Sequence, residues 1–335
     1  MTYHLKRQPN GSYALYHPGL GETMHPGLGP WEEATRLYVQ GSGLAHRLAT
    51  GQGAQRTQEL NVFDVGLGGA ANALAALDCW QDLERQGARP RPLRVVSFEQ
   101  DLAALAFTLK NAASLGYPQG HEPMLRELLE HGCWSAPPRL YWDLRRGDFA
   151  QLIQDEPARA DLAFWDPFSP RSNPGMWNVA VLESLFRCRR PGGGLVLVTY
   201  STAVAVRAAL LLAGFYVGEG VRLAGGHAST VAAERFSDLA QPLDGRWLTR
   251  WRKDRDPWPP GTPPARHRAL REALLNHPQW SQAPAAQNPA GHTRTSVPRQ
   301  AKGSAPAVHR PPRGHRRWAQ AAEPRSGRRG PRAPR

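Results

Sequence analysis

The stretch "LNVFDVGLGGAANALAALDCWQDLERQ", residues 60–86, decides the fold. Its first seven residues, "LNVFDVG" (60–66), form a near-continuous apolar run, whereas a half-exposed strand would alternate. Glycines at 66, 68 and 69 interrupt the run, and from Ala71 to Gln86 the apolar residues return at helical spacing. A strand covered on both faces, a glycine turn and a helix make the repeating unit of a parallel α/β sheet.

The same grammar extends outward. "LRVVSFE" (93–99), "DLAFWD" (161–166) and "GLVLVTYS" (194–201) are equally continuous, and segments of helical spacing cover 101–116, 174–190 and 202–214. Shorter strands at 139–142, 215–221 and 229–236 bring the expected total to seven, in a doubly wound, mostly parallel, Rossmann-like α/β sheet over residues 60–255. Residues 1–59 read as an N-terminal cap, a Gly- and Pro-rich loop with one helix in "WEEATRLYVQGS" (31–42). No Leu, Ile or Phe follows Leu275, so residues 256–335 read as a Pro/Arg-rich linker and, from Ala283, a disordered tail. Such a segment buries too little apolar area to offset the entropy of ordering it.

Charge divides along the same line. Residues 1–255 carry 27 basic and 25 acidic side chains, whereas 289–335 carry 12 Lys or Arg and a single acid, Glu323. A basic arm of this kind attracts polyanions without reading their sequence. Cys79, Cys133 and Cys188 lie too far apart for a disulfide framework or a metal site. No apolar run approaches membrane-spanning length, and the start has no apolar h-region, so a cytoplasmic protein without membrane contact is expected.

In an open parallel sheet, ligands bind outside the carboxyl ends of the strands where strand order reverses. Gly66 and Gly68 let the backbone approach a ligand there. With Ala71 they also satisfy the looser dinucleotide pattern G-x-G-x-x-A. Asp64, two residues earlier, suits an ammonium and a sulfonium better than a pyrophosphate, which points to S-adenosyl-L-methionine, and no substrate domain supports a dehydrogenase. Glu99, closing the second strand, can accept from both ribose hydroxyls. Asp148, in "RRGDFAQL", can reach an adenine amino group. For each of these acids, helix capping or a solvated loop position is the competing role.

The remaining candidate is Asp166, in "DLAFWDPFSPRSNPGMW" (161–177). It ends the fourth strand, beside the first, and so faces the reactive carbon of a cofactor held there. Pro167 supplies rigid backbone without an N–H, leaving carbonyls and carboxylate to accept from a target nitrogen, and Phe168 can stack on a flat base. Asp-Pro-Phe looks like the Asp/Asn/Ser-Pro-Pro-Phe/Tyr element of amino-group methyltransferases. Methyl transfer from a sulfonium is an in-line displacement, governed by positioning.

Together, "ETMHPGLGPWEEATRLYVQGSGL" (22–44), "FDVGLGGAAN" (63–72), "SFEQD" (97–101), "GDF" (147–149), "DPFSPRSNPGMW" (166–177) and "RRPGGGLVLVTYSTAVAVRAALLLAGF" (189–215) resemble the MnmC/MnmD-like tRNA methyltransferases over roughly residues 13–255. The resemblance implies a class I methyltransferase fold that uses S-adenosyl-L-methionine, releases S-adenosyl-L-homocysteine and needs no metal. The implied reaction is methylation of the exocyclic amine of 5-aminomethyl(-2-thio)uridine at the tRNA wobble position. By the same resemblance Asp166 is catalytic, with Pro167 and Phe168 shaping the uridine pocket. Gly66, Gly68, Asn72, Glu99 and Asp148 hold the cofactor, and His25, Glu33 and Asn173 meet the substrate. The implied partners are tRNA, docked in part by the basic tail, and a separate enzyme that supplies the aminomethyl-uridine precursor. Nothing after residue 255 reads as the flavin-dependent oxidase domain fused to some members. Two departures stand out: the third glycine of the loop is Ala70, and the family's basic stretch after the sixth strand has become "VRLAGGHASTVAA" (221–233), keeping only Arg222 and His227. A methyltransferase for a small amine, and a catalytically silent cofactor-binding module that contacts RNA, are the alternatives.

Overall fold

Three short antiparallel strands, β1 (His4–Arg7), β2 (Tyr13–His17) and β3 (Glu22–Thr23), begin the chain. The computed structural model describes residues 3–50, 57–222 and 226–282. After β3, α1 (Pro30–Glu33) continues into a π-helical stretch, Ala34–Gln40, and then α2 (Leu44–Ala49). The expected cap helix is therefore present, but wider than an α-helix through its second half. The small sheet replaces an expected loop, because its strands are too short to give a periodic signal.

The central sheet begins with β4 (Leu60–Val65), α3 (Ala71–Arg85) and β5 (Leu93–Glu99). The helical segment expected at 101–116 divides at Asn111 into α4 (Ala103–Lys110) and α5 (Ala112–Leu115). α6 (Glu122–His131) and the edge strand β6 (Cys133–Ala136) then precede β7 (Leu140–Arg146). β6 makes the sheet eight-stranded rather than seven. It escapes a sequence reading because it is largely exposed, and an exposed edge strand needs no apolar run.

α7 (Phe149–Leu152) leads to β8 (Leu162–Trp165) and α8 (Val179–Arg187), where Asn178 caps the helix by accepting from the Val181 N–H. β9 (Val196–Thr199), α9 (Val204–Leu212), β10 (Tyr216–Arg222) and β11 (Ala228–Ala233) complete the sheet in the order β10-β11-β9-β8-β4-β5-β7-β6. The five inner strands from β9 to β7 are parallel. From β4 the chain proceeds through β5 and β7 on one side, then returns to β8 and β9 on the other. The switch point thus lies between the carboxyl ends of β4 and β8.

Helices cover both faces of the sheet, which explains the continuous apolar runs. The first turns of α3, from Ala71 to Leu77, are buried throughout. Four of those residues are alanine, and these small side chains let the π-helical stretch pack closely, burying Leu37 and Tyr38 completely.

The packed chain also continues past 255, where a linker was expected. α10 (Gly245–Lys253), α11 (His267–Leu275) and α12 (Gln279–Gln282) join the core on that side of the sheet, α11 packing on α9 and α12 bonding to β10. Aromatic contacts fasten this extension, Trp258 edge-on to Trp251 and Trp280 stacked on Trp247. Gln279 is fully buried: its Oε1 accepts from Val217 N (2.7 Å), and its Nε2 donates to the carbonyls of Val217 (2.7 Å) and Leu243 (2.8 Å). One amide thereby satisfies the buried Val217 N–H and ties β10 to the segment after it, where Leu243 N also donates to Val217 O (2.9 Å). The tail expected from Ala283 lies outside the described residues. Gln279→Ala should lower stability by about 2–4 kcal/mol, read from denaturant unfolding, because it strands a buried N–H and weakens two carbonyl interactions.

Candidate active site

Two adjoining cavities open at the switch point, of about 410 and 420 Å³. Both are walled by Met24, Gly66, Glu99, Pro167 and Phe168. The first also meets Glu22, His25, Glu33, Gly68, Asp166 and Tyr200, while the second runs past Tyr3, Phe98, Asp101, Asp148, Phe149 and Asn173.

The glycine loop makes this space possible. Gly66 has φ +92°, and a Cβ there would lie 2.6 Å from the Asp166 carbonyl oxygen. A side chain would therefore push β8 away from β4, besides forcing a left-handed backbone on a residue with a Cβ. Gly68, at φ +51°, would aim a Cβ at the Met24 sulfur across the first cavity. Ala70 occupies the left-handed region at φ +69°. Alanine at this place carries the cost of that conformation as local strain, of about 1–2 kcal/mol.

Asp166 follows β8 directly, and its N–H pairs with Val65 O (2.9 Å), extending the ladder by one residue. Its side chain is 11 % exposed and its Oδ2 accepts from Asn72 Nδ2 at 2.8 Å. His25 Nε2 stands 3.8 Å from the same oxygen, and His25 Nδ1 lies 3.4 Å from Glu33 Oε1. The Tyr38 hydroxyl, delivered by the π-helical stretch, reaches the Asp166 carboxylate without forming a well-aligned hydrogen bond. π-helical segments concentrate at functional sites, where the extra residue per turn re-aims a side chain. Neutral carboxylic acid is favoured by burial, which pushes Asp166 up to about 6, with His25 opposing and Glu33 adding to the rise. For His25, burial favours the neutral ring, but Asp166 and Glu33 outweigh it and raise the group to about 9. At neutral pH the His25 ring is therefore an imidazolium, set between the Asp166 and Glu33 side chains. His25 also adopts φ +53°, an uncommon conformation for a residue with a Cβ.

The loop after Asp166 is clamped from both sides. Tyr200 donates to Pro167 O (2.9 Å), Trp177 Nε1 to Phe168 O (2.8 Å), and Glu22 accepts from Ser169 N (3.2 Å) and from the hydroxyls of Ser169 and Ser172. Burial favours protonation of Glu22, but these serine bonds, with Arg171, bring its carboxyl below the usual range. Phe168 is held edge-on by His17, ring centroids 5.5 Å apart. Asn173 reaches the second cavity from this loop, and its backbone N–H is fixed on Ser169 O at 2.8 Å.

The other expected cofactor residues divide. Glu99 stands on both cavities, its oxygens accepting from Gly68 N (3.0 Å), Gln100 N (2.8 Å) and Asp101 N (3.1 Å); burial pushes the carboxyl up and these bonds oppose it. Asp148 reaches the second cavity but commits Oδ1 to the α7 cap, accepting from Ala150 N at 2.7 Å. Asp64 and Asn72 line neither cavity. Asp64, 1 % exposed, accepts from Ser97 Oγ (2.8 Å), and burial pushes it up to about 7, with Ser97 opposing. Asn72 is turned to Asp166. Both therefore lie outside the two cavity linings, whereas direct contact with the cofactor was expected of them. Tyr38, Tyr200 and Glu22 were not anticipated. Of these Tyr200 had a signal, because it follows β9 directly at the end of the sheet where ligands bind.

Residues 131–235, which include Asp148, Asp166 and Tyr200, match a family described as S-adenosyl-L-methionine-dependent methyltransferase. The chain is 33 % identical over 215 residues, 60 % of its length and 31 % of the relative's, to the tRNA 5-methylaminomethyl-2-thiouridine biosynthesis bifunctional protein MnmC of Paracidovorax citrulli. It is 28 % identical over 265 residues, 76 % of its length and 36 % of the relative's, to the protein of the same name from Ralstonia nicotianae. The chain spans about a third of the length of these curated relatives. Among solved structures it superposes on MnmC2 from Aquifex aeolicus with a TM-score of 0.61 at 23 % identity, covering 82 % of this chain and 84 % of that one. Fold and matches together define a class I, S-adenosyl-L-methionine-dependent methyltransferase. Over 60–76 % of its length it is similar to the proteins named MnmC.

The cavity residues fit that cofactor. Two glycines at positive φ keep the loop clear, Glu99 offers a carboxylate at the junction of the two cavities, and Phe98 and Phe149 give the second cavity apolar walls beside Asp148. In His25→Gln, loss of the imidazolium should move the Asp166 titration to higher pH, measured by NMR of a carboxyl-labelled protein. An unmoved titration would separate His25 from Asp166 electrostatically.

Proposed function

We propose that the chain methylates the aminomethyl nitrogen of 5-aminomethyl(-2-thio)uridine at the tRNA wobble position. The observation that carries this is the Asp166 carboxylate, held at the end of β8 on the floor of a cavity walled by Phe168. The relatives' printed name, which concerns 5-methylaminomethyl-2-thiouridine biosynthesis on tRNA, supports the choice of acceptor.

S-adenosyl-L-methionine, when bound, supplies an electrophilic methyl group. Glu99 and the Gly66–Gly68 loop would hold it, with Asp148 and the second cavity around the adenosine. The chain's own task is to present a neutral amine with its lone pair aimed, since alignment supplies most of the rate in such a displacement. Asp166 Oδ accepts a hydrogen bond from the amine, and the Asn72 amide and the His25 imidazolium fix the carboxylate that does so. The Pro167 carbonyl, held by Tyr200, is a second acceptor, and Phe168 packs against the uracil ring. Burial of Asp166, His25 and Glu33 keeps water from competing.

Asp166→Ala should cut single-turnover methylation of tRNA by about 10²-fold or more, the scale of a misplaced acceptor. Cofactor affinity should stay within a few fold, because Asp166 addresses the amine. Glu99→Ala should do the reverse and weaken S-adenosyl-L-homocysteine binding by about 1.5–3 kcal/mol, read by calorimetry. A small free amine is the competing acceptor, favoured by the sparse charge of "VRLAGGHASTVAA" (221–233). Turnover of small amines with none of hypomodified tRNA would replace the tRNA assignment with that one.

A further inference from the structure

A third, strongly polar cavity of about 180 Å³ opens beside the end of β10 and the start of β11, lined by Thr202, Arg207, Glu219, Arg222, His227 and Arg250. Three guanidinium groups and an imidazole there meet one carboxylate. Arg207 comes from α9 and is only 2 % exposed. Its Nε donates to Thr230 Oγ1 (3.0 Å), and its Nη2 to the carbonyls of Ala228 (3.0 Å) and Ser229 (3.2 Å). These bonds fix the plane of the guanidinium. Nη1 makes no hydrogen bond among the described residues, the nearest carboxylate oxygen being Glu219 Oε1 at 3.8 Å.

Tying α9 to β11 accounts for Nε and Nη2 alone. Arg222 spends one N–H on Gly226 O (2.8 Å), but that leaves its remaining donors, and the presence of Arg250 at the same cavity, where like charges repel, unexplained. Burial pushes the Arg207 guanidinium down, Glu219 opposes that, and the Arg250 charge adds to it. A rigid buried donor with two exposed cations beside it is suited to a phosphate oxyanion, which guanidinium groups bind with paired N–H donors.

Position names the source of that phosphate. The cavity lies at the carboxyl end of the sheet, and Thr202 is two residues beyond Tyr200, which lines the first cavity. In the strand order, β10 is three spacings from β8, roughly 14 Å sideways from Asp166. α10 extends the positive surface with Arg252 and Lys253, both exposed, while Arg246 is paired with Asp244 (2.6 Å). We propose that Arg207, Arg222, His227 and Arg250 bind a backbone phosphate of the RNA whose base enters the cavity over Asp166, an inference that rests on the tRNA reading above. Such an interaction positions the strand without reading its sequence.

The test uses the full chain and tRNA from cells lacking it, with Arg222→Glu, Arg250→Glu and the milder Arg250→Gln. Both arginines are exposed, so the fold is retained. Each reversal should raise the Kd and KM for tRNA on the order of fivefold and flatten the slope of log K against log salt by about 0.7–0.9 for each phosphate that is no longer neutralised. The rate at saturating tRNA and the methylation of free 5-aminomethyluridine nucleoside should not change, and Arg250→Gln should fall between wild type and Arg250→Glu. Unaltered affinity and salt slope in both reversals, with a wild type that methylates tRNA, would overturn the phosphate site and leave the tRNA reading standing. Weakened binding in the variants of a wild type that binds tRNA without methylating it would support the site and remove the reading. Methylation of free nucleoside by a wild type with no affinity for tRNA would overturn both.

Discussion

A carboxylate that sits at the end of a parallel strand, nearly closed to water, has to be held by partners or be lost to protonation. Asp166 is held by the Asn72 amide and the His25 imidazolium, and His25 by Glu33. That one requirement organises much of the molecule. Asn72 stands on the first turn of α3, so the glycine loop must turn sharply enough to bring it under β8. His25 and Glu33 lie in the N-terminal segment, so the cap must close over the sheet. Tyr38 belongs to a π-helical stretch that packs on the alanines of α3. Removing one charge would leave the others buried without compensation, which typically costs more than the pair contributes.

The arrangement also separates two tasks that share a wall. Glu99 and the second cavity are proposed here for the ribose and adenine of the cofactor, and Asp166 and Tyr200, which line the first cavity, for the acceptor. Gly66 stands between them and cannot carry a side chain, because a Cβ there would meet the Asp166 carbonyl. On that proposal the closeness of β4 to β8 sets how near donor and acceptor come, and both strand ends are fixed by ladder bonds of the sheet itself.

Much of this was legible in the sequence. Continuous apolar runs marked the covered strands, their alternation with helices gave the parallel sheet, and β8 was expected beside β4. Asp166, Glu99 and Gly66 were visible because strand ends at a switch point are where such folds bind. Other features left no periodic trace. β6 is an exposed edge, the N-terminal strands are too short to alternate, and the packing of 256–282 depends on single residues such as Gln279 and Trp280 amid prolines and arginines. Asp64 and Asn72 were expected to touch the cofactor because their positions suggested it. Spacing could not say which way the side chains turn: toward Ser97 and Asp166, outside the cavity linings. Arg250 is remote from Arg207 along the chain, and only the fold brings the two to one cavity.

Whether Asp166 presents a wobble-uridine amine for methylation is tested most directly by mass-spectrometric nucleoside analysis of tRNA from cells lacking this chain, complemented with wild type or with Asp166→Ala. Unmethylated 5-aminomethyl uridines should accumulate as the methylated nucleoside disappears, and wild type should reverse this where the variant does not. A nucleoside profile unchanged by the deletion would contradict that role for Asp166.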